Sequence, residues 1–197
     1  MKLNNKKLSL LITVMLATLM LVMVGCGGNE TPEEQNNNQQ QEQTGANSNE
    51  EQPAESNDVE LTLYFSDDQA MYLVPEKRTT TVKDNDSATI GKAAIEALVE
   101  GPQQEDHVKT IPDGTEVLSL KVEDGTATVD LNKAFKENHW GGTAGERHTL
   151  YSIVNTLAKN IDVKDVQLTI EGEVQESILG HSITSEPLEP NFEMVKE

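Results

Sequence analysis

Cysteine is almost missing from this chain: Cys26 is the one thiol in 197 residues. A lone cysteine builds no disulfide framework and no zinc site of the Cys-pair kind. Basic residues are scarce too, 15 Lys and Arg against 34 Asp and Glu, for a formal charge of −19. Nucleic acid is thereby excluded as a partner, because binding it needs a basic stripe to neutralise phosphates. A bare anionic membrane surface would likewise repel the chain. The four histidines, His107, His139, His148 and His181, show no pair at metal-ligand spacing, so they read as solvent-exposed side chains and imply no metal. Nor is there a long apolar run. Leu8 to Val24 is uncharged and apolar, but it falls short of the ~20 residues a membrane span needs.

That short run sits in a telling place. Lys2, Lys6 and Lys7 precede it, and Met23-Val24-Gly25-Cys26 follows. A positive segment, an apolar segment and a small residue before the cut make a secretory signal over residues 1–25. The Gly25-Cys26 junction resembles the bacterial lipobox, which implies cleavage before Cys26 and a diacylglyceryl group on its sulfur. Removing residues 1–25, with their three lysines and no acids, leaves 172 residues and moves the formal charge from −19 to −22. Attachment to a membrane would then come from lipid on Cys26, and stable anchoring takes more than one acyl chain. With Cys26 acylated, no cysteine nucleophile remains.

Residues 26–58 read as a disordered tether: eight acids, no basic residue, and runs such as Asn36–Asn38 and Gln39–Gln41. Such a segment cannot bury enough surface to offset its conformational entropy. As a flexible coil it would span about 30 Å. Composition changes at Val59, where a folded domain is expected to begin and run to residue 190, followed by a polar tail over 191–197. Val59, Leu61, Leu63 and Phe65 alternate with polar neighbours, predicting a half-buried strand. Met71 to Val74, ended by Pro75, predicts a second strand, and Thr79–Val82 a third. Asp86 or Ser87 caps a helix whose apolar face is Ile90, Ala94, Ala97 and Leu98 and which stops at Gly101-Pro102. Asp124-Gly125 predicts a two-residue hairpin that sets Val122 opposite Ala127, Leu120 opposite Val129 and Leu118 opposite Leu131. Thr143-Ala144-Gly145-Glu146 fits a capping box for a second helix with Leu150, Ile153, Val154, Leu157 and Ala158 buried. A strand through Val166, Leu168 and Ile170 follows, and Gly180 to Pro190 adds a short edge strand. The order β-β-β-α-β-β-α-β predicts an α+β fold: one small antiparallel or mixed sheet with two helices packed on one face.

Chemistry is hard to find in this pattern. Asp84-Asn85-Asp86 starts like a calcium loop but has Thr89 at the sixth position and Ile95 at the twelfth, where glycine and a carboxylate are required. Gly141-Gly142-Thr143-Ala144-Gly145 precedes a helix, yet no lysine or arginine assists and Glu146 sits where an anion would lie. Ser152 lacks a nucleophile-elbow context. No catalytic, cofactor-binding or metal residue is assigned. Trp140, the sole tryptophan, reads as a loop residue folded onto the core, with partner contact as the alternative.

Several segments together resemble the GerMN domain of sporulation and spore-germination lipoproteins. They are Leu61-Thr-Leu-Tyr-Phe65, Tyr72-Leu-Val-Pro-Glu76, Ala97-Leu-Val-Glu-Gly-Pro102 and Ile111-Pro-Asp-Gly-Thr115. Ala127-Thr-Val-Asp-Leu131, Tyr151 to Leu157 and Val166 to Gly172 complete the series. The resemblance covers residues 59–190 and implies an α+β fold like the ring-building modules of secretion systems. It implies a noncatalytic, lipid-anchored assembly module outside the cytoplasm, acting in sporulation or germination with other envelope or sporulation-complex proteins. It brings no catalytic residues and no cofactor. Self-association of the domain stays open. So do two other functions: binding an envelope ligand such as a glycan or peptide, and an envelope role unrelated to spores.

Overall fold

The computed structural model describes residues 57–196. The signal segment, Cys26 and residues 26–56 of the expected tether lie outside the described residues. The elements run β1 (Asn57–Asp67), β2 (Leu73–Val82), α1 (Ser87–Glu100), β3 (His107–Val108), β4 (Val117–Glu123), β5 (Thr126–Leu131), α2 (Ala134–Glu137), α3 (Thr143–Asn160) and β6 (Asp165–Ile170). The class is α+β, as expected, but the strands divide into two three-stranded sheets, β2-β1-β3 and β4-β5-β6. The second sheet is mixed, with β5 antiparallel to β4 and parallel to β6. The long helices α1 and α3 each touch both sheets instead of lying on one face of a single sheet. Leu61, Leu63 and Phe65 of β1, Ile95 and Leu98 of α1, Val129 and Leu131 of β5, Ile153 and Leu157 of α3 and Val166 of β6 share one core, each fully buried.

The sheets stay separate because a helix occupies the edge of β1 that another strand would need. Ser152, Thr156 and Asn160 lie four residues apart on α3, along the backbone of β1. The Asn160 side chain accepts from Thr62 N (2.9 Å) and donates to Thr62 O (2.8 Å). Thr156 Oγ1 accepts from Tyr64 N (3.1 Å), and Ser152 Oγ donates to Tyr64 O (2.7 Å). Four helical residues rise about 6.0 Å and two strand residues about 6.8 Å, so the two periods nearly match along this contact. Buried backbone amides must find partners somewhere. Here side chains supply them, and β3 pairs with β1 only at Ser66 and Asp67.

Strand β2 corrects the expected pair of short strands. It runs unbroken from Leu73 to Val82 against β1, with Pro75 opposite Tyr64. Thr62 and Tyr64 turn their amides toward α3, so in the alternating antiparallel ladder their opposite numbers on β2 turn theirs outward. Pro75 therefore sits where a missing N–H costs no ladder bond. Strand β1 also starts earlier than the alternation suggested: Asn57 and Asp58, placed in the tether by composition, pair with Val82 and Thr81.

Inside the first sheet, Glu76 and Arg78 clamp the end of α1. Arg78 donates to Ala97 O (3.0 Å) and Gly101 O (2.9 Å), carbonyls at the helix C-terminus that lack intrahelical partners. Its guanidinium lies 2.6 Å from Glu76 Oε1 and 6.0 Å from the centre of the Phe65 ring. Glu76 also accepts from the amides of Gln103 (3.0 Å) and Gln104 (3.1 Å) beyond the helix. At the other end of α1, Asp86 is the N-cap and accepts from Ala88 N and Thr89 N. Gly101 closes the helix at φ 99°, which suits glycine.

The hairpin at Asp124-Gly125 forms with both residues at positive φ, as a type I′ turn requires. Val122 faces Ala127 and Leu120 faces Val129, but a bulge between Val117 and Ser119 puts Val117 opposite Leu131. Leu118, expected there, is displaced by the bulge and left 46% exposed. Two C-terminal expectations also change. Leu188 makes a single bridge to Val166 in place of an edge strand. Residues 191–196, read as a polar tail, return to the first sheet: Val195 bridges Leu73, and Met194 packs with Tyr64 and Leu73.

Two predictions follow from these clamps. Thr156→Val keeps the shape and removes the acceptor for the Tyr64 amide, so urea unfolding should show a loss of about 1–3 kcal/mol with an unchanged m-value. Burial raises the Glu76 carboxyl, but hydrogen bonds from Arg78, Gln103 and Gln104 and the charge of Arg78 hold it below its ordinary 4.5. Folded Glu76 thus releases its proton more readily than the unfolded residue. Its stabilisation is present above pH 4.5 and disappears as pH falls through the lower folded value. Unfolding midpoints measured from pH 7 down to pH 3 should fall, and Glu76→Gln should start lower and fall less.

Candidate functional site

The start of α3 gathers chemistry that the sequence scatters. The helix begins at Thr143 with Gly142 as its N-cap and no side-chain cap bond, so the expected capping box does not form. Glu146 turns inward instead, 1% exposed, and accepts from His181 N (3.0 Å), from Ser182 N and from His181 Nδ1 (2.8 Å). Burial raises its carboxyl, while the bonds from Ser182 and His181 bring it below the ordinary value. One carboxylate thereby pins the loop after β6 to the helix.

Two residues on, His148 is buried with Nδ1 2.9 Å from Ser66 Oγ. The Ser66 hydroxyl donates to Asp67 O (3.0 Å), which leaves a lone pair to face His148 Nδ1. Ser66, His148 and Asp67 have the residue types of an acyl-transfer triad but not the wiring. A nucleophilic serine donates its hydrogen bond to the imidazole, and here the Ser66 hydroxyl donates to a backbone carbonyl instead. Burial lowers the His148 pKa; the charge of Asp67 works against this and that of Arg147 adds to it.

His139 completes the group. Thr149 Oγ1 donates to Thr110 O (2.7 Å), so it accepts from His139 Nε2 at 3.1 Å. Burial lowers the His139 pKa, and the charge of Glu146 opposes the shift. Trp140 stacks on His139 at 5.9 Å between ring centres and remains 47% exposed. The core reading of Trp140 is thus corrected. The expectation of solvent-exposed histidines fails as well, because His107, His139 and His148 are built into the fold and only His181 is exposed. Among the described residues, no group of three or more His, Cys, Asp or Glu could hold a metal ion.

Sequence reasoning took the apolar stripe of α3 and passed over the polar one beside it. His148, Ser152, Thr156 and Asn160 stand at a strict four-residue spacing. A row of short polar side chains along the flank of a buried stripe is a readable sign of a helix bonded to backbone.

A profile described as sporulation and spore germination, named Germane, matches residues 62–176. The fold resembles the tandem GerMN domains of the sporulation protein GerM from Bacillus subtilis, with a TM-score of 0.55 and 22% identity over 72% of this chain and 48% of that one. The chain therefore spans about half of that tandem. It also resembles a Clostridium perfringens protein assigned as a lipoprotein, with a TM-score of 0.50 and 23% identity over 67% of this chain and 87% of that one. No curated protein sequence matches. The profile covers more than half of the residues, and the chain belongs to the Germane family of sporulation and spore germination domains.

Proposed function

We propose that the protein is a lipid-anchored lipoprotein outside the cytoplasm whose GerMN-type domain serves as a noncatalytic protein-interaction module in sporulation or germination. The observation that carries this reading is the Gly25-Cys26 junction, behind a signal-like segment and ahead of this domain. Family membership supports the sporulation setting. The inward wiring of Ser66, His148, His139 and Glu146 supports a noncatalytic role, because these groups hold loops and strands in place. No helix among the described residues is long and apolar enough to cross a membrane. The proposed attachment is lipid on Cys26.

Replacing Cys26 tests the anchor. In a sporulating bacterium fed radiolabelled palmitate, the wild-type chain should take up label and sediment with membranes. Cys26→Ser should lose the label, leave the membrane fraction and lower spore yield or germination. Normal spores from cells that shed the Cys26→Ser protein would overturn the tethered reading.

A further inference from the structure

A cleft of about 570 Å3 opens beside the β1–β2 turn, walled by Asp67, Asp68, Tyr72, Asp106 and His107. Asp67 shapes it by accepting from Met71 N (2.7 Å) and Tyr72 N (3.2 Å), which holds Tyr72 at the rim, 38% exposed. The His107 side chain is 7% exposed, and its Nδ1 lies 3.4 Å from a Glu76 oxygen without hydrogen-bond geometry to it. The walls are thus three carboxylates, an aromatic face and an imidazole whose unmet Nδ1 is turned inward toward Glu76. A cation is already seated there: Lys196 Nζ stands 5.8 Å from the centre of the Tyr72 ring.

That lysine arrives by strand addition. Val195 bridges Leu73 in parallel, and Lys196 N donates to Leu73 O (2.9 Å). Beyond this point the outer edge of β2 is open. Lys77, Thr79 and Thr81 direct their N–H and C=O groups outward, by the same alternation that faces Thr62 and Tyr64 toward α3. Among the described residues none of those outward backbone groups has a hydrogen-bond partner. An unpaired edge ending at a cleft for a side chain is the arrangement by which sheets recognise extended peptides: the backbone gives affinity and the cleft gives specificity.

We infer that this cleft and edge receive an extended segment of a partner protein bearing a lysine or arginine, whose cation takes the place over Tyr72 that Lys196 now holds. The inference names the surface through which the interaction module proposed above acts, and it rests on that reading. Charge complementarity selects the partner. The chain carries −19 overall, and three aspartates line the cleft. Lys196 is then an internal competitor, which the partner must displace.

Titration of the full chain in a neutral detergent with acetyl-Thr-Val-Lys-Val-Thr-amide, at about 0.15 M salt to screen diffuse attraction, tests the inference. The same peptide with glutamine for lysine is the control and should bind more weakly. Lys196→Ala should bind the lysine peptide about two- to fivefold more tightly, since the competing cation is gone. A gain of this kind cannot come from misfolding. Tyr72→Leu and Asp106→Asn should each weaken binding about threefold or more, and Asp162→Asn, beyond the far end of α3, should not. Equal binding of the two peptides, no gain in Lys196→Ala, or equal losses in Asp106→Asn and Asp162→Asn would overturn the cleft. In-cell crosslinking of the tagged wild type decides the interaction module separately. Recovered envelope partners alongside a failed titration would leave the module standing and remove only the cleft.

Discussion

The hydrogen bonds between one face of α3 and the edge of β1 govern how the rest of this domain is assembled. A central strand has two edges, and β1 has a full-length strand partner on only one of them. Leaving the amides of Thr62 and Tyr64 buried without partners would cost about 1–3 kcal/mol each. Asn160, Thr156 and Ser152 remove that cost while also placing Ile153 and Leu157 in the core. A helix normally meets a sheet through apolar side chains alone. Here it also acts in place of a strand, so its axis and its register along β1 are both fixed.

Much follows from that register. With α3 locked, His148 falls beside Ser66, Thr149 beside Thr110, and Glu146 beside the loop at His181 and Ser182. The edge of β1 is closed to β4, β5 and β6, which form their own sheet in contact with α1 and α3. Arg78 and Glu76 do for α1 what the polar row does for α3, binding the end of a helix to the first sheet. Gly91 lets α1 come in closely: a Cβ there would lie 3.0 Å from Ile161 and 3.2 Å from Leu120 and Leu157.

Patterns that repeat over a few residues were legible in the sequence. The alternation in β1, the Asp86 cap, the Gly101 stop and the Asp124-Gly125 turn each follow from local chemistry, and each is present. Failures arose where a distant partner decides. Pro75 ends a strand by local rule, but its outward position on an edge lets β2 continue. Glu146 suits a capping box by spacing, yet the amides of residues 181 and 182 compete for it and win. Leu118 alternates correctly until a bulge shifts the pairing. Trp140 defied its average burial because the preceding His139 offered a ring to stack on outside the core. The Glu76–Arg78 clamp was not legible, since nothing in Pro75-Glu76-Lys77-Arg78 tells which of its charges will turn inward.

The buried hydrogen bonds also limit where recognition can occur. Ser66, His139, His148 and Glu146 are the groups a chemist would first suspect of catalysis, and each makes a hydrogen bond to backbone or to a neighbour that itself bonds backbone. Changing the protonation of any of them would weaken a bond that holds a strand or loop against α3. Groups that can meet another molecule without such a cost lie at the surface: the Tyr72 face, the Trp140 ring and the outward amides of β2. Of these, the β2 edge combines unsatisfied backbone with an adjoining charged cleft, and the chain's own Lys196 already exploits the cleft. Among the described residues, the first sheet has one edge closed by a helix and the other paired only at Leu73, so the inferred recognition falls on the side where backbone is still free to bond.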